Sequence, residues 1–166
     1  MKKRICSIFS NEQLIDSTLL DSIESKIKKI ITESVKNGYT DFLFCEGNVF
    51  DIICLKELSS IQKKHPDLRW YFYYTEECTI SSIPPHLAKF HTLTYFIKEA
   101  KSFFGGFRCV VSDNEYKLLG DSAIRIDLTL MSELSICYLN FETTPPKALN
   151  YYKAEQNNSN VLINLY

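Results

Sequence analysis

Apolar and polar positions along this chain repeat at two different spacings. Short apolar runs with the composition of buried strands occur at five places: Lys3–Phe9, Asp41–Cys45, Arg69–Tyr74, Leu134–Asn140 and Val161–Leu165. Between the first two runs, apolar residues recur at helical spacing, namely at Leu20, Ile23, Ile27, Ile30, Ile31 and Val35. The alternation of short strands with longer helical segments predicts an α/β fold.

Residue types at the segment ends give the boundaries of the predicted helices. The first helix is predicted over Gln13–Lys36, because Asn37-Gly38 provides a C-terminal stop. A second helix is predicted over Phe50–Lys64, and Pro66 cannot continue it. Strands that alternate with helices in this order require parallel pairing and right-handed crossovers.

The end of the chain continues the same pattern. The run Thr143-Thr144-Pro145-Pro146 predicts the start of a helix, since proline suits the first helical turn. This helix is expected to end near Gln156 and to be followed by a turn over Asn157–Asn160. Together these segments predict a three-layer Rossmann-like fold with a mainly parallel sheet, formed by residues 1–166 as a single domain.

The middle of the chain gives weaker patterns. Thr75–Thr92 is predicted as a loop, Thr94–Phe104 as a helix and Phe107–Ser112 as a strand. The segment Ala123–Met131 fits two templates. Its apolar residues alternate as in a strand, yet Ile124, Leu128 and Met131 also share one face of a helix. Both interpretations of this segment stay open.

The stretch Asp41–Leu58 predicts the position of a site. It contains a buried strand, a tight turn at Glu46-Gly47-Asn48 and a helix that opens near Val49. In parallel α/β folds, ligands bind at the carboxyl ends of the strands, where the amides of helix N-termini point outward. The sequence therefore places a candidate site at this edge of the sheet.

Composition and charge exclude several classes of function. The formal net charge is −1, so no basic field favours nucleic acid or an anionic membrane. The N-terminus lacks the apolar core of a signal peptide, and no apolar run is long enough to span a bilayer. The six cysteines lack metal-binding spacing, and we expect free thiols, no metal site and a cytoplasmic location.

Three segments carry a resemblance to a known family. They are Asn37–Phe42, the Phe50-Asp51 pair with its helix and Lys63–Arg69, and the closing Val161–Leu165. These segments resemble the SLOG superfamily of Rossmann-like proteins, which includes the cytokinin-activating LOG enzymes, and within it the YpsA-like bacterial branch. The resemblance covers the first half of the chain well and the last third loosely. It implies a nucleotide-derived ligand.

The ligand loops depart from the pattern of that branch. Its members carry Gly-His-Arg after the first strand, a glycine-rich turn after the second, an Arg-Asn pair before the penultimate strand and a Gly-Gly-Thr-like phosphate turn after it. The corresponding residues here are Ser10-Asn11-Glu12, Cys45-Glu46-Gly47-Asn48-Val49, Arg125-Ile126 and Thr143-Thr144-Pro145-Pro146. Glycine lets backbone amides approach a phosphate, whereas proline removes an amide donor. The resemblance therefore implies a degenerate member of the family.

The candidate ligand-binding residues follow from these positions. They are Ser10, Asn11, Glu46, Gly47, Asn48, Asp51, Thr143 and Thr144. Asp51 fits either a carboxylate stabilised by the helix dipole or an acceptor for a ribose hydroxyl. Glu46 fits either a solvated turn residue or a general acid or base, although no partner carboxylate beyond Glu142 is identifiable.

These observations lead to a functional expectation with one alternative. We expect a non-catalytic module, without catalytic residues or a cofactor, that senses or binds a nucleotide-derived small molecule or serves as an interaction scaffold. A protein partner or a homodimer is compatible with it, whereas nucleic acid and membrane are not expected. The alternative is a phosphoribohydrolase-like enzyme that acts on nucleotides.

Overall fold

The computed structural model describes residues 4–44, 48–74, 93–96, 118–119, 122–158 and 160–166. Several predictions concern residues outside these ranges. They are the turn residues Glu46 and Gly47, the loop over 75–92, the part of the predicted helix beyond Phe96 and the strand over 107–112.

Six strands form one parallel sheet. They are β1 (Arg4–Ser10), β2 (Tyr39–Phe44), β3 (Arg69–Tyr74), β4 (Leu93–Phe96), β5 (Leu134–Tyr138) and β6 (Val161–Asn164). Their order across the sheet is β4-β3-β2-β1-β5-β6, and every described pair of neighbours is parallel. The chain winds outward in one direction from β1 to β4 and then resumes on the other side of β1 with β5. The topological switch point therefore lies between β1 and β5.

Helices cover both faces of the sheet. They are α1 (Leu20–Lys36), α2 (Val49–Gln62), α3 (Ser122–Met131) and α4 (Pro146–Asn158). Helices α1 and α2 pack on the face that carries Ile8 and Phe42, whereas α3 and α4 pack on the face that carries Phe9 and Leu43. Successive strand residues point to opposite faces, which explains why the strands are apolar throughout. The predicted three-layer α/β fold is confirmed.

The first helix begins later than its apolar spacing predicts. The sequence predicts a helix from Gln13, but α1 starts at Leu20. The carboxylate of Asp16 accepts hydrogen bonds from the backbone N–H of Thr18 at 2.9 Å and from its hydroxyl at 2.8 Å. This local turn competes with helical hydrogen bonding and delays the helix. The predicted stop is confirmed, because Asn37 is the C-cap residue and the Gly38 that follows it adopts a φ of +86°.

Two segments in the middle of the chain form a strand and a helix. Residues 94–96 form part of β4 rather than a helix, so the predicted helix is wrong there. This short segment, Leu93–Phe96, pairs in register with Tyr71–Tyr74 of β3, and its aromatic and β-branched residues suit a strand. The open segment Ala123–Met131 is helical, within α3.

The burial of α3 explains its ambiguous pattern. Most of its residues are buried, including the polar residues Arg125, Asp127 and Thr129. A helix that is buried on nearly all sides has no clear polar stripe to reveal its period. At the end of the chain, α4 continues to Asn158, so the turn predicted over Asn157–Asn160 is wrong at its first two residues.

The described cysteines are buried thiols. Cys6, Cys54 and Cys137 are free, and burial raises the pKa of each thiol. The carboxylate of Asp51 raises the pKa of Cys54 further. A thiol that stays protonated in an apolar core is unreactive. Within the described ranges, no helix has the length and apolar character needed to cross a membrane.

Candidate functional site

The carboxyl ends of β1 and β5 meet at the switch point. Ser10, the last residue of β1, pairs with Tyr138, the last residue of β5. The backbone N–H of Asn11 then donates to the Tyr138 carbonyl oxygen at 3.3 Å and extends the pairing by one residue. The β1–α1 loop and the β5–α4 turn therefore leave the sheet side by side, at the edge where parallel α/β folds bind ligands.

Asn11 joins these two connections through its side chain. Its amide nitrogen donates to the Asn140 carbonyl oxygen and the Thr144 hydroxyl, both at 3.0 Å, and to the Thr143 hydroxyl at 3.3 Å. In return, the backbone N–H of Asn140 donates to the Asn11 side-chain oxygen at 2.8 Å. We call these four residues, Asn11, Asn140, Thr143 and Thr144, the carboxyl-edge clasp.

The β5–α4 turn uses its backbone donors internally. The N–H of Glu142 donates to the Asn140 side-chain oxygen at 3.0 Å, and the N–H of Thr144 donates to the Phe141 carbonyl oxygen at 3.4 Å. Pro145 and Pro146 have no N–H. A phosphate-binding turn needs several amides that point toward the anion. Few amides of this turn are available for that purpose.

A second group of hydrogen bonds in the site involves the Ser10 carbonyl oxygen. It accepts a hydrogen bond from Nε of Arg125 at 3.0 Å and a longer one from the side-chain amide of Asn48 at 3.4 Å. The Asn48 side-chain oxygen also caps α2 by accepting from the N–H of Asp51 at 3.1 Å. Residues from β1, α2 and α3 are therefore joined at one carbonyl group.

Arg125 is the buried cation of this group. Only 7% of the residue is exposed, although arginine is rarely buried without partners. Burying its charge costs free energy unless hydrogen bonds and other charges compensate. The hydrogen bond from its Nε to the Ser10 carbonyl oxygen is one such contact, and it holds Arg125 at the carboxyl end of β1. Asp51, which has no exposed surface, adds a carboxylate to the first turn of α2. Its role in ligand binding stays a prediction.

The structure brings five of the eight candidate residues together. Ser10 and Asn48 are joined at the Ser10 carbonyl, and Asn11, Thr143 and Thr144 are joined in the clasp. Asp51 is bonded through its N–H to Asn48, but its side chain is buried. Glu46 and Gly47 lie outside the described residues.

Sequence reasoning missed two members of the site. Asn140 lies two residues after the end of β5, so the rule that selected Thr143 and Thr144 could have selected it as well. Arg125 appeared only as a departure from the family pattern. The signal for it was a charge inside the apolar segment Ala123–Met131, which indicates a buried group.

The described site offers mainly hydrogen-bonding groups. Its side chains are mainly amides and hydroxyls, with one guanidinium group. Paired carboxylates for acid–base chemistry do not lie in the clasp, and Glu142 on the adjacent turn is exposed. Among the described residues, no cluster of three or more His, Cys, Asp or Glu side chains could hold a metal ion.

Comparisons with known proteins leave the family open. No protein-family model matches this chain, and no curated protein matches it at a significant level. The resemblance to the SLOG superfamily thus remains an expectation that rests on the motifs quoted above.

Proposed function

We propose that this chain is a non-catalytic Rossmann-like module, degenerate relative to SLOG enzymes, that binds a nucleotide-derived small molecule at the switch point. The observation that carries this proposal is the convergence at that point of the half-buried Asn11 and the exposed Thr143 with the buried residues Ser10, Asn48, Thr144 and Arg125. Amide and hydroxyl groups of this kind recognise the hydrogen-bonding edge of a base or the hydroxyls of a ribose.

The absence of catalysis is inferred from the groups that surround the ligand position. Hydrolysis of a nucleotide at its glycosidic bond needs a positioned acid or base. The clasp has neither, and the described part of the β5–α4 turn offers few amides for a phosphate. We therefore expect the nucleoside portion of the ligand to be recognised more strongly than a phosphate group.

Calorimetric titration with adenosine, AMP and ADP-ribose tests this proposal. Thr143 is the exposed member of the clasp, so Thr143→Arg should obstruct the site without disturbing the core. We expect ligand affinity to fall about tenfold or more, equivalent to ~1.4 kcal/mol. The matched control is Ser60→Arg on the exposed side of α2, which should leave affinity unchanged. Equal affinities for the two variants would place the ligand elsewhere, and absence of binding by all three compounds would refute the proposal for this ligand class.

The enzyme alternative has its own test. We expect no release of ribose 5-phosphate from AMP above a protein-free control. Turnover that disappears in Glu46→Gln would instead establish an enzyme that uses this carboxylate as an acid or base.

A second candidate function is an interaction scaffold. Four large apolar side chains are exposed on connections at the carboxyl edge or just after the last strand: Leu14, Leu19, Phe141 and Tyr166. Exposed apolar groups of this size favour an interface when they are contiguous. The occupant that we propose is a second copy of this chain. Sedimentation velocity should show a dimer that dissociates in Leu14→Ser and Phe141→Ser; a monomer at all concentrations would exclude the scaffold in this form.

A further inference from the structure

Strand β6 is an edge of the sheet, and half of its backbone groups point outward. Within the described residues, its only neighbouring strand is β5. The N–H groups of Val161 and Leu165 donate to carbonyl oxygens on the β5 side at 3.0 and 2.9 Å. Alternate residues of a parallel strand bond to opposite sides. The backbone N–H and C=O groups of Leu162 and Asn164 are therefore directed away from β5.

The sequence of this edge lacks the usual protection against pairing. Natural edge strands carry charged side chains, proline or a bulge, which prevent association with another strand. Residues 157–166 contain neither a charged residue nor a proline. The side chains at the two ends of the edge are exposed, with Val161 at 59% and Tyr166 at 60%. An uncharged edge with exposed apolar groups favours the addition of a further strand.

The outward groups of β6 are complementary to those of a second β6 strand. If Ile163 faces Ile163 of the second copy in an antiparallel pair, Leu162 of each copy faces Asn164 of the other. Facing residues of this type exchange both of their N–H···O=C hydrogen bonds. Every outward group of Leu162 and Asn164 is then bonded in both copies. The two-fold axis passes between the Ile163 residues, so the pairing ends at a dimer.

The side chains on the α1 face agree with the same register. Ile163 and Leu165 pack against the core on that face, and Val161 lies on the same side of the strand. In the antiparallel pair, the exposed Val161 of each copy lies opposite Leu165 of the other. The apolar side chains would then form one continuous row across both copies. The strand provides fewer residues than the ~20–30 per partner of a standard interface, so we expect micromolar affinity.

We propose that the β6 edge binds the β6 edge of a second copy of this chain, with Ile163 on the two-fold axis, and so joins two sheets into one. A second copy is favoured over an unrelated strand because one register satisfies both the outward backbone groups and the apolar row. The proposal does not depend on the ligand proposed at the switch point. It also uses neither Leu14 nor Phe141, which belong to the separate apolar surface described above.

Disulfide trapping tests the register. In Ile163→Cys, the facing Cα atoms should lie ~4.5 Å apart, a separation that permits a disulfide. We expect a covalent dimer with oxidised glutathione, linked through residue 163 by peptide mass spectrometry. Leu165→Cys is the matched control on the same strand and face. Its two thiols would lie ~13 Å apart along the strands, so it should crosslink at least about tenfold more slowly. Equal rates would overturn the proposal.

A mixture of two variants gives a second test that does not require Ile163 to be changed. Val161→Cys and Leu165→Cys should each crosslink slowly alone, but rapidly when they are mixed, because these positions face each other across the pair. Wild-type protein under the same conditions reports any crosslink through the native cysteines. A mixture that crosslinks no faster than its components would overturn the register.

Sedimentation velocity tests the pairing without a covalent bond. Val161→Lys places a charge on the exposed edge and should weaken the dimer at least about fivefold, whereas Ser60→Lys on the exposed side of α2 should not. Leu14→Ser and Phe141→Ser should leave the rate of the Ile163→Cys crosslink unchanged, which separates this edge from the other surface. Loss of the crosslink in those two variants, or a wild-type monomer at all concentrations, would overturn the proposal.

Discussion

Two polar clusters join β1 to β5, and they differ in burial. The interior serine cluster contains Ser7, Ser132, Ser135 and Asn160, each at most 4% exposed. The carboxyl-edge clasp lies at the end of the same strands, but of its four residues only Thr144 is buried, at 7% exposure, whereas Asn11 and Asn140 are half-buried and Thr143 is exposed. A cluster that is sealed from solvent can only stabilise the fold, whereas one at the surface can also meet a ligand. On one pair of strands, the sealed cluster therefore contributes to stability, and the more open clasp is the place where we propose that a ligand binds.

The interior cluster satisfies its polar groups almost completely. The Ser7 hydroxyl forms hydrogen bonds with the hydroxyls of Ser132 and Ser135, each at 2.8 Å. The Asn160 amide nitrogen donates to the carbonyl oxygens of Thr129 at 3.1 Å and Ser132 at 2.9 Å. These bonds attach the C-terminal end of α3 to the start of β6. Asn160 Oδ1 has no hydrogen-bond partner in the described chain, which is a local cost of this arrangement.

Apolar packing beside these clusters provides the largest expected effect. Leu43 is 1% exposed in β2, which neighbours β1 in the interior of the sheet. Leu43→Ala should lower the free energy of unfolding by ~2–5 kcal/mol, because apolar surface is lost and a cavity forms. Urea unfolding measures this change, with Leu118→Ala as a control at 72% exposure. A loss under ~1 kcal/mol would contradict the tight packing of this strand.

The interior cluster should show the next largest effect. Ser7→Ala leaves two buried hydroxyl groups without a shared partner and should cost ~1–3 kcal/mol. A double-mutant cycle with Ser135→Ala should give a coupling energy of ~0.5 kcal/mol or more, since the two hydroxyls contact each other. Strictly additive effects would show that the serines do not act as a cluster.

The carboxyl-edge clasp should contribute less to stability. Asn11→Ala removes several hydrogen bonds, but water can reach the half-buried groups that remain, so we expect a loss of ~0.5–1.5 kcal/mol. Asn11→Asp retains an acceptor for the Asn140 N–H and removes the amide donor, which separates the two contributions. A loss for Asn11→Ala that exceeds that for Ser7→Ala would reverse the proposed distinction between the clusters.

Thiol reactivity gives the smallest expected change. Burial raises the pKa of Cys6, Cys54 and Cys137, so these thiols should remain unmodified by iodoacetamide in the native protein at pH 8. All three should react after denaturation without a reducing agent, because we expect no disulfides. Mass spectrometry of the peptides distinguishes them. Rapid native modification of Cys6 or Cys137 would show that β1 or β5 opens to solvent.

The sequence predicts the fold well where a segment has one clear environment. The strand Arg69–Tyr74 is found within its predicted bounds, and Gly38 ends α1 as expected. Errors occur where local or tertiary contacts decide the structure. The side chain of Asp16 shortens α1, and pairing with β3 selects a strand at Leu93–Phe96. The spacing of apolar residues, on which the predicted elements rest, carries no information about these contacts.

The candidate site was predictable in position but not in its internal contacts. The rule for carboxyl ends of parallel strands selected Ser10, Asn11 and Thr144, which the structure brings together. It could not reveal that Asn11 is engaged by the β5–α4 turn, because that contact joins residues more than a hundred positions apart. The burial of Arg125 likewise depends on how α3 packs against β1.

The most direct test of the central claim combines binding and turnover in one sample. Amide-detected NMR of the full chain with adenosine and AMP, followed by ³¹P spectra of the AMP sample, reports both properties. We predict saturable shifts at Ser10, Asn11, Asn48 and Asn140, with adenosine bound at least as tightly as AMP and AMP as the only phosphorus signal. Ribose 5-phosphate above a protein-free control, or saturable binding that leaves these four amides unshifted, would contradict a non-catalytic ligand site at the β1–β5 switch point.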